Sequence, residues 1–337
     1  MKKIAKQIMT ADDYKKNGLQ KMNSCEFKAA ITNFSAALKI EPNNHDIYRL
    51  RATAKCYSYK FCEASADYSK ALMIDPFDAN LYLARGIARE STSSNHKAGF
   101  ADFNKSIELC PTNYIAYYFR GMTNYYLNDY NAALSDFNIY IEYCPDFIAF
   151  YKKNVKKIKF AFRHSYKAGN ENYLAYIAPS GFDVYFFKGY CNFLLGNISD
   201  ALVDVTNAIA CEPKNIDCYN LSARIKYSLG NYEAALEDCN KAIDLYFFDW
   251  EANELSGDIS FKLGHLRLAL FYYNLLLKPD TKECDIYVKR GKIKHALNDL
   301  LGAFNDFKSA VEIDPNDKNT LSLKEKTETE LIKFLES

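Results

Sequence analysis

Along most of the chain an aromatic or apolar residue is followed four places on by a small one. An alanine comes twelve beyond that, and another ring or apolar side chain four further. YYFRGMTNYYLNDYNAALSDF (117–137), YFFKGYCNFLLGNISDALVDV (185–205), YNLSARIKYSLGNYEAALEDC (219–239) and YVKRGKIKHALNDLLGAFNDF (287–307) share this single frame. A proline usually stands eight residues past its last position, at Pro42, Pro76, Pro111, Pro145, Pro213 and Pro315. The spacing predicts pairs of helices, the second of each pair closed by a proline that cannot donate the next helical hydrogen bond. Asn44, Asp78, Asn113 and Asn215, just beyond, are N-cap candidates for the helix that follows. Between the two helices Gly196, Gly230 and Gly264 supply a turn at positive φ.

The small positions have a steric reason. Gly18, Ala52, Gly86, Gly121, Gly189, Ala223, Gly257 and Gly291 on first helices face Ala30, Ala64, Ala133, Ala201, Ala235, Ala269 and Ala303 on second helices, so the two backbones can approach closely. Phe34, Tyr68, Phe103, Phe137, Tyr273 and Phe307 then fill the space between one pair and the next, and Ala37, Ala71, Ala208, Ala242 and Ala310 admit the following pair. One such pair cannot bury its apolar face alone, whereas stacked neighbours share a continuous core.

This frame, with its period of thirty-four residues, resembles the tetratricopeptide repeat over nearly the whole chain. The resemblance implies an all-α fold, an α-solenoid in which helix-turn-helix units wind into a right-handed superhelix. Nine units are expected, at 11–44, 45–78, 79–113 with one inserted residue, 114–147, 148–181, 182–215, 216–249, 250–283 and 284–317. Residues 1–10 lead in. Residues 318–337, polar with apolar positions at 321, 323, 331, 332, 334 and 335, are expected to form a solvating helix that caps the array. The fifth unit departs most from the frame, with Val155 and Lys167 where small residues belong. In the eighth, Pro279 comes two residues early, and Phe247 replaces the proline of the seventh. Such departures are either functional or neutral drift.

The resemblance also implies a groove lined by the second, fifth, ninth and twelfth positions of each first helix. Those positions hold Tyr118, Met122 and Tyr125 in the fourth unit and Phe186, Tyr190 and Phe193 in the sixth. In the fifth they hold Lys152, Lys156 and Lys159, which share one helical face. A basic stripe between two aromatic walls is the expectation. Further along, Asp217, Glu251, Glu254, Asp258 and Asp285 make the groove acidic, and two charge zones can fix the direction of an extended partner. Alternatively the lysines form an ordinary solvated face and the rings pack against neighbouring units.

Composition narrows the function classes. With 43 Lys and Arg against 42 Asp and Glu the balance is +1, without the basic excess of a general nucleic-acid binder. The first sixteen residues hold no apolar run of signal-peptide length, and the longest greasy stretch, LRLALFYYNLLL (266–277), is too short to span a bilayer. A cytoplasmic protein is the expectation. The ten cysteines form no CxxC pair and do not cluster with the five histidines, so neither a metal nor another cofactor is expected. Glycine-rich phosphate loops, HExxH and GxSxG are absent, which points away from an enzyme.

Some members of the family hold C-terminal carboxylates with a clamp of Lys, Asn and Arg residues. The matching positions here, Lys15, Leu19, Leu50, Asn80 and Ala84, keep only the first Lys. The leading expectation is a non-enzymatic adaptor that binds an extended peptide or helix of another protein, with acidic or terminal carboxylate groups meeting the lysines. A self-associating scaffold is the alternative, and a single-stranded RNA reader of the helical-repeat kind a distant third.

Overall fold

The computed structural model describes residues 9–92, 97–143, 181–277 and 282–336. Among them are seventeen helices and no strand: α1 (Ala11–Asn23), α2 (Phe27–Ile40), α3 (His45–Tyr57), α4 (Phe61–Ile74), α5 (Ala79–Glu90), α6 (Phe100–Leu109), α7 (Tyr114–Tyr126), α8 (Tyr130–Tyr143), α9 (Gly181–Leu194), α10 (Ile198–Cys211), α11 (Ile216–Ser228), α12 (Tyr232–Leu245), α13 (Trp250–Lys262), α14 (Leu266–Leu276), α15 (Cys284–Ala296), α16 (Leu300–Ile313) and α17 (Lys318–Glu336). The chain forms two compact units. The first runs to Asn197 and takes in Ala210–Glu212; the second holds Ile198–Ile209 and everything from Pro213 onward.

In the first unit α1 to α8 pack in sequence as hairpins, each on the one before, and α9 packs on α8 and α7. Phe34, Tyr68, Phe103 and Phe137 are fully buried at the place where each hairpin's helices come closest. That approach needs the small residue opposite: a Cβ on Gly121 would stand 2.9 Å from the Phe137 ring. In the second unit α11 to α17 stack in the same way, with Tyr273 and Phe307 as the buried rings. A Cβ on Gly291 would come within 2.7 Å of Phe307.

The turn between the helices of a hairpin demands a left-handed residue. Gly196, Gly230 and Gly264 take φ of 80°, 76° and 77°, and Cys25, Tyr59, Asn128 and Asn298 adopt the same conformation without glycine's freedom. Asn44, Asp78 and Asn215 cap α3, α5 and α11 by accepting from the backbone amides of Ile47, Leu81 and Cys218. Asn113 does not cap α7. Its amide turns back to Ser106 Oγ at 3.0 Å and toward Asn80 at 3.4 Å, so it ties α7 to the hairpin before it instead.

One repeated contact was not read from the sequence. Arg51, Arg120 and Arg290 each fork onto an aspartate sixteen residues on (Asp67, Asp136, Asp306), and Arg85 does the same to Asp102, with pairs of bonds between 2.6 and 3.0 Å. The third nitrogen of each reaches back to the preceding hairpin, to Ser35, Ser69, Asn104 or Asn274. Each guanidinium also lies over the tyrosine three residues before it: Tyr48, Tyr82, Tyr117 or Tyr287. A planar donor fork suits this double duty where a lysine would not. The signal was present as a Tyr-x-x-Arg step followed by an aspartate at a fixed interval.

The last helix packs on α16, with Leu321, Leu323 and Leu331 of its apolar positions half-buried. Its buried side chains are Thr320 and Thr327, while Ile332, Phe334 and Leu335 are exposed. His295 to Glu330 at 2.6 Å ties it to α15.

Candidate partner-binding surfaces

The first ring-bearing surface is built on α7 and α9. Tyr118, assigned to the groove by register, is instead core: it is 7% exposed and packs against Phe119, Tyr140 and Phe137 at centroid distances of 5.2, 5.8 and 6.1 Å. Burial raises its phenol well above the ordinary value. The reason is close packing of α7 on α8, whose Phe137 and Tyr140 leave no open side at this position.

Met122 and Tyr125, one and two turns on, are half-buried and partly open to solvent. Tyr125 is the hub. Its ring lies 5.1 Å from Phe187, 6.0 Å from Tyr190, 5.3 Å from Tyr126 and 6.1 Å from Tyr130. Burial, then the neighbouring phenols and Cys191, push its hydroxyl up to about 12. On α9, Phe186 meets Phe187 at 5.4 Å and Tyr190 at 6.2 Å, and Phe193 is half-buried one turn further.

The sequence suggested two aromatic walls held apart by a lysine-bearing helix. In the structure the walls are one, because α9 packs directly on α8 and α7 and the rings of Tyr125 and Tyr190 touch. Val184 and Cys191 of α9 enter the same core as Phe137 and Tyr140. Lys152, Lys156 and Lys159 lie outside the described residues.

The second surface belongs to α11, α13 and α15 and carries the acidic positions. Asp217 and Asp285 are exposed in the first turns of α11 and α15, where a negative charge also favours the helix dipole. Glu251 pairs with Arg224 at 2.9 Å. Glu254 and Asp258 converge on Lys289 at 2.8 and 2.9 Å, and the Tyr273 hydroxyl donates to Asp258 at 2.6 Å. Burial presses the Lys289 ammonium down, but its two carboxylates outweigh that and hold it above the ordinary value. The acidic zone is therefore partly neutralised by its own cations. Behind it, Asn220 donates to Asp249 at 2.9 Å, and Asp249 caps α13 through the Ala252 amide at 2.8 Å. The residue that orients α13 is thus locked to α11.

Among the described residues no group of three His, Cys, Asp or Glu side chains is placed to hold a metal ion, and no helix is long and apolar enough to cross a membrane.

A family model described as tetratricopeptide repeat matches residues 216–248 and 285–317. No curated protein matches the chain. Among solved structures, a tetratricopeptide repeat protein from Parabacteroides merdae ATCC 43184 is 17% identical, with a TM-score of 0.51 over 84% of this chain and 98% of that one. A chain of the APC/C hetero-tetramer Cut9-Hcn1 is 16% identical, with a TM-score of 0.52 over 94% of this chain and 58% of that one, so this chain spans little more than half of that protein's length. Both likenesses concern the fold. Proteins of this family are in general non-enzymatic modules that bind other proteins or peptides. Stacked helical hairpins, small residues opposed to buried rings, and two stretches that match the family model give the chain the fold of tetratricopeptide repeat proteins.

Proposed function

We propose that the chain is a non-enzymatic adaptor that holds an extended peptide or helix of a partner protein against the first helices of its hairpins. The observation that carries this reading is the wall on α7 and α9 in which Met122 and Phe193 flank the contacting, half-buried rings of Tyr125, Tyr190 and Phe186. Rings of this kind offer large contact area at low conformational cost. Partner carboxylates, acidic side chains or a chain terminus, would meet Lys152, Lys156 and Lys159.

The test pairs capture with direct titration. Wild type, Lys156→Glu with Lys159→Glu, and Phe193→Ala are used side by side to recover partners from native lysate, and the segment recovered by wild type is then titrated against each. The expected outcome is a loss of affinity of at least about tenfold in both variants, with the melting temperature nearly unchanged. Binding and melting temperature falling together would assign these residues to structure.

Self-association is the second reading, favoured by one feature. The turn before α13 and the first residue of that helix expose Tyr246, Phe247, Phe248 and Trp250, with Phe248 63% exposed. Rings left open in this number suit a docking patch. Light scattering that gives a monomer mass across a concentration series would remove this reading.

A further inference from the structure

Glu90, the last residue of α5, does not take part in the ring wall, yet it occupies the register position in its unit that Tyr125 occupies in the next. Its carboxyl group is half-buried between two hairpins. Thr123 of α7 lies with Oγ1 2.6 Å from Glu90 Oε1, and the same Oγ1 lies 3.0 Å from the carbonyl oxygen of Phe119. A threonine hydroxyl has one hydrogen and cannot donate to both. An ionised Glu90 would claim it and leave two oxygens facing each other at the Phe119 carbonyl. A neutral Glu90 donates its own proton to Thr123 Oγ1 and the hydroxyl then donates to Phe119, so both short contacts carry a hydrogen. We propose that Glu90 and Thr123 form a protonation-gated latch between the α5–α6 and α7–α8 hairpins, closed when the Glu90 carboxyl is neutral.

The surroundings favour that neutral form. Behind the side chain the Gly99 backbone is so close that a Cβ there would stand 3.0 Å from Glu90 Cγ and 2.6 Å from the Gly86 carbonyl oxygen, so the stem of Glu90 is covered by main chain. Among the described residues, the ion-paired side chains of each packed element are held by other partners. On α5 itself, Arg85 and Arg89 both bind Asp102. On α4, Asp67 is held by Arg51 and Lys55, Glu63 by Lys55 and Lys60, and Lys70 lies over the Tyr48 ring. On α6, Asp102 is taken by the two arginines, Lys105 pairs with Glu108, and Lys97 ahead of the helix is exposed. On α7, Arg120 and Asn124 both turn to Asp136. Among the described residues no ion pair includes Glu90. Desolvation therefore dominates, opposed only by the Thr123 hydroxyl, and raises the carboxyl from 4.5 to about 7. A folded-state value above the unfolded one means the latch contributes most at low pH, and its contribution is lost as pH rises from about 4.5 through about 7.

The full-length chain, labelled with ¹³C at the glutamate carboxyl carbons, tests this by NMR titration, with Glu90→Gln to identify the signal. A midpoint near neutrality at Glu90 is expected; a midpoint in the ordinary range near 4.3 overturns the latch. Hydrogen exchange, corrected for the intrinsic rate, gives the structural readout. Amides of α5 and α7 should be at least about tenfold more protected at pH 5.5 than at pH 8.5, which corresponds to about one pKa unit of coupling. Glu90→Gln, whose amide can donate to Thr123 at any pH, should hold the low-pH protection throughout. Thr123→Val should lose the protection at both. Protection independent of pH in the wild type, or an unchanged pH dependence in Glu90→Gln, would refute the proposal. Neither readout requires a bound partner, so the latch stands or falls separately from the adaptor reading.

Discussion

At the scale of single residues the decisive quantity is how much of each polar group is withdrawn from water. Asp136 is 3% exposed by side chain while its partner Arg120 is 24% exposed, and the two are joined by bonds of 2.6 and 3.0 Å. Removal of the arginine strands a buried carboxylate with only the Asn124 amide, at 3.2 Å, in reach. Removal of the aspartate leaves a guanidinium that can turn to solvent. Arg120→Met is therefore expected to cost about 3–5 kcal/mol and Asp136→Asn clearly less, measured by urea denaturation. Equal costs would contradict this asymmetry. The Arg–Asp pairs were legible in principle, since the residues recur at a fixed interval. Their partner on the preceding hairpin was not, because it depends on how two hairpins lie together. The same holds for Tyr118: its register position is shared with Phe186, but only packing against Phe137 and Tyr140 decided that it is core.

At the scale of helices and turns, local chemistry explains most of what is seen. The left-handed turn residue recurs whether or not glycine fills it, because the hairpin geometry requires it at every unit. Gly230 sits there at φ 76°, so Gly230→Ala is expected to destabilise by about 1 kcal/mol. Tyr59, at φ 57°, carries the strain already and is 85% exposed, so Tyr59→Gly should raise the melting temperature slightly. Thermal unfolding of the two variants should therefore move in opposite directions. Caps behave likewise: Asn44, Asp78 and Asn215 act through their own helices and were readable from the chain. Asn113 was not, because Ser106 of the neighbouring helix draws its amide away.

At the scale of the whole molecule, the helices most in contact within each unit are, among the described residues, those of the same or adjacent hairpins, so perturbations should remain local. Phe307→Ala empties the space against Gly291 and is expected to cost about 3–5 kcal/mol. Hydrogen exchange should accelerate in α15, α16 and α17 while α1 to α4 keep their protection. Acceleration in α1 to α4 as well would mean that the chain melts as one cooperative body.

The repeat, the helices, most caps and the turn residues follow from the order of residues alone, since each rests on contacts within a few turns of chain or on a fixed steric need for a small side chain. What the tertiary structure decided is which surfaces meet. Rings at Tyr125 and Tyr190, sixty-five residues apart, touch because α9 packs directly on α7 and α8. Glu254 and Asp258 share Lys289 of the next hairpin, and Glu90 meets Thr123 across another such boundary. Sequence periodicity states which face a residue occupies, but burial and charge depend on what is packed against that face, and that is set only when the helices come together.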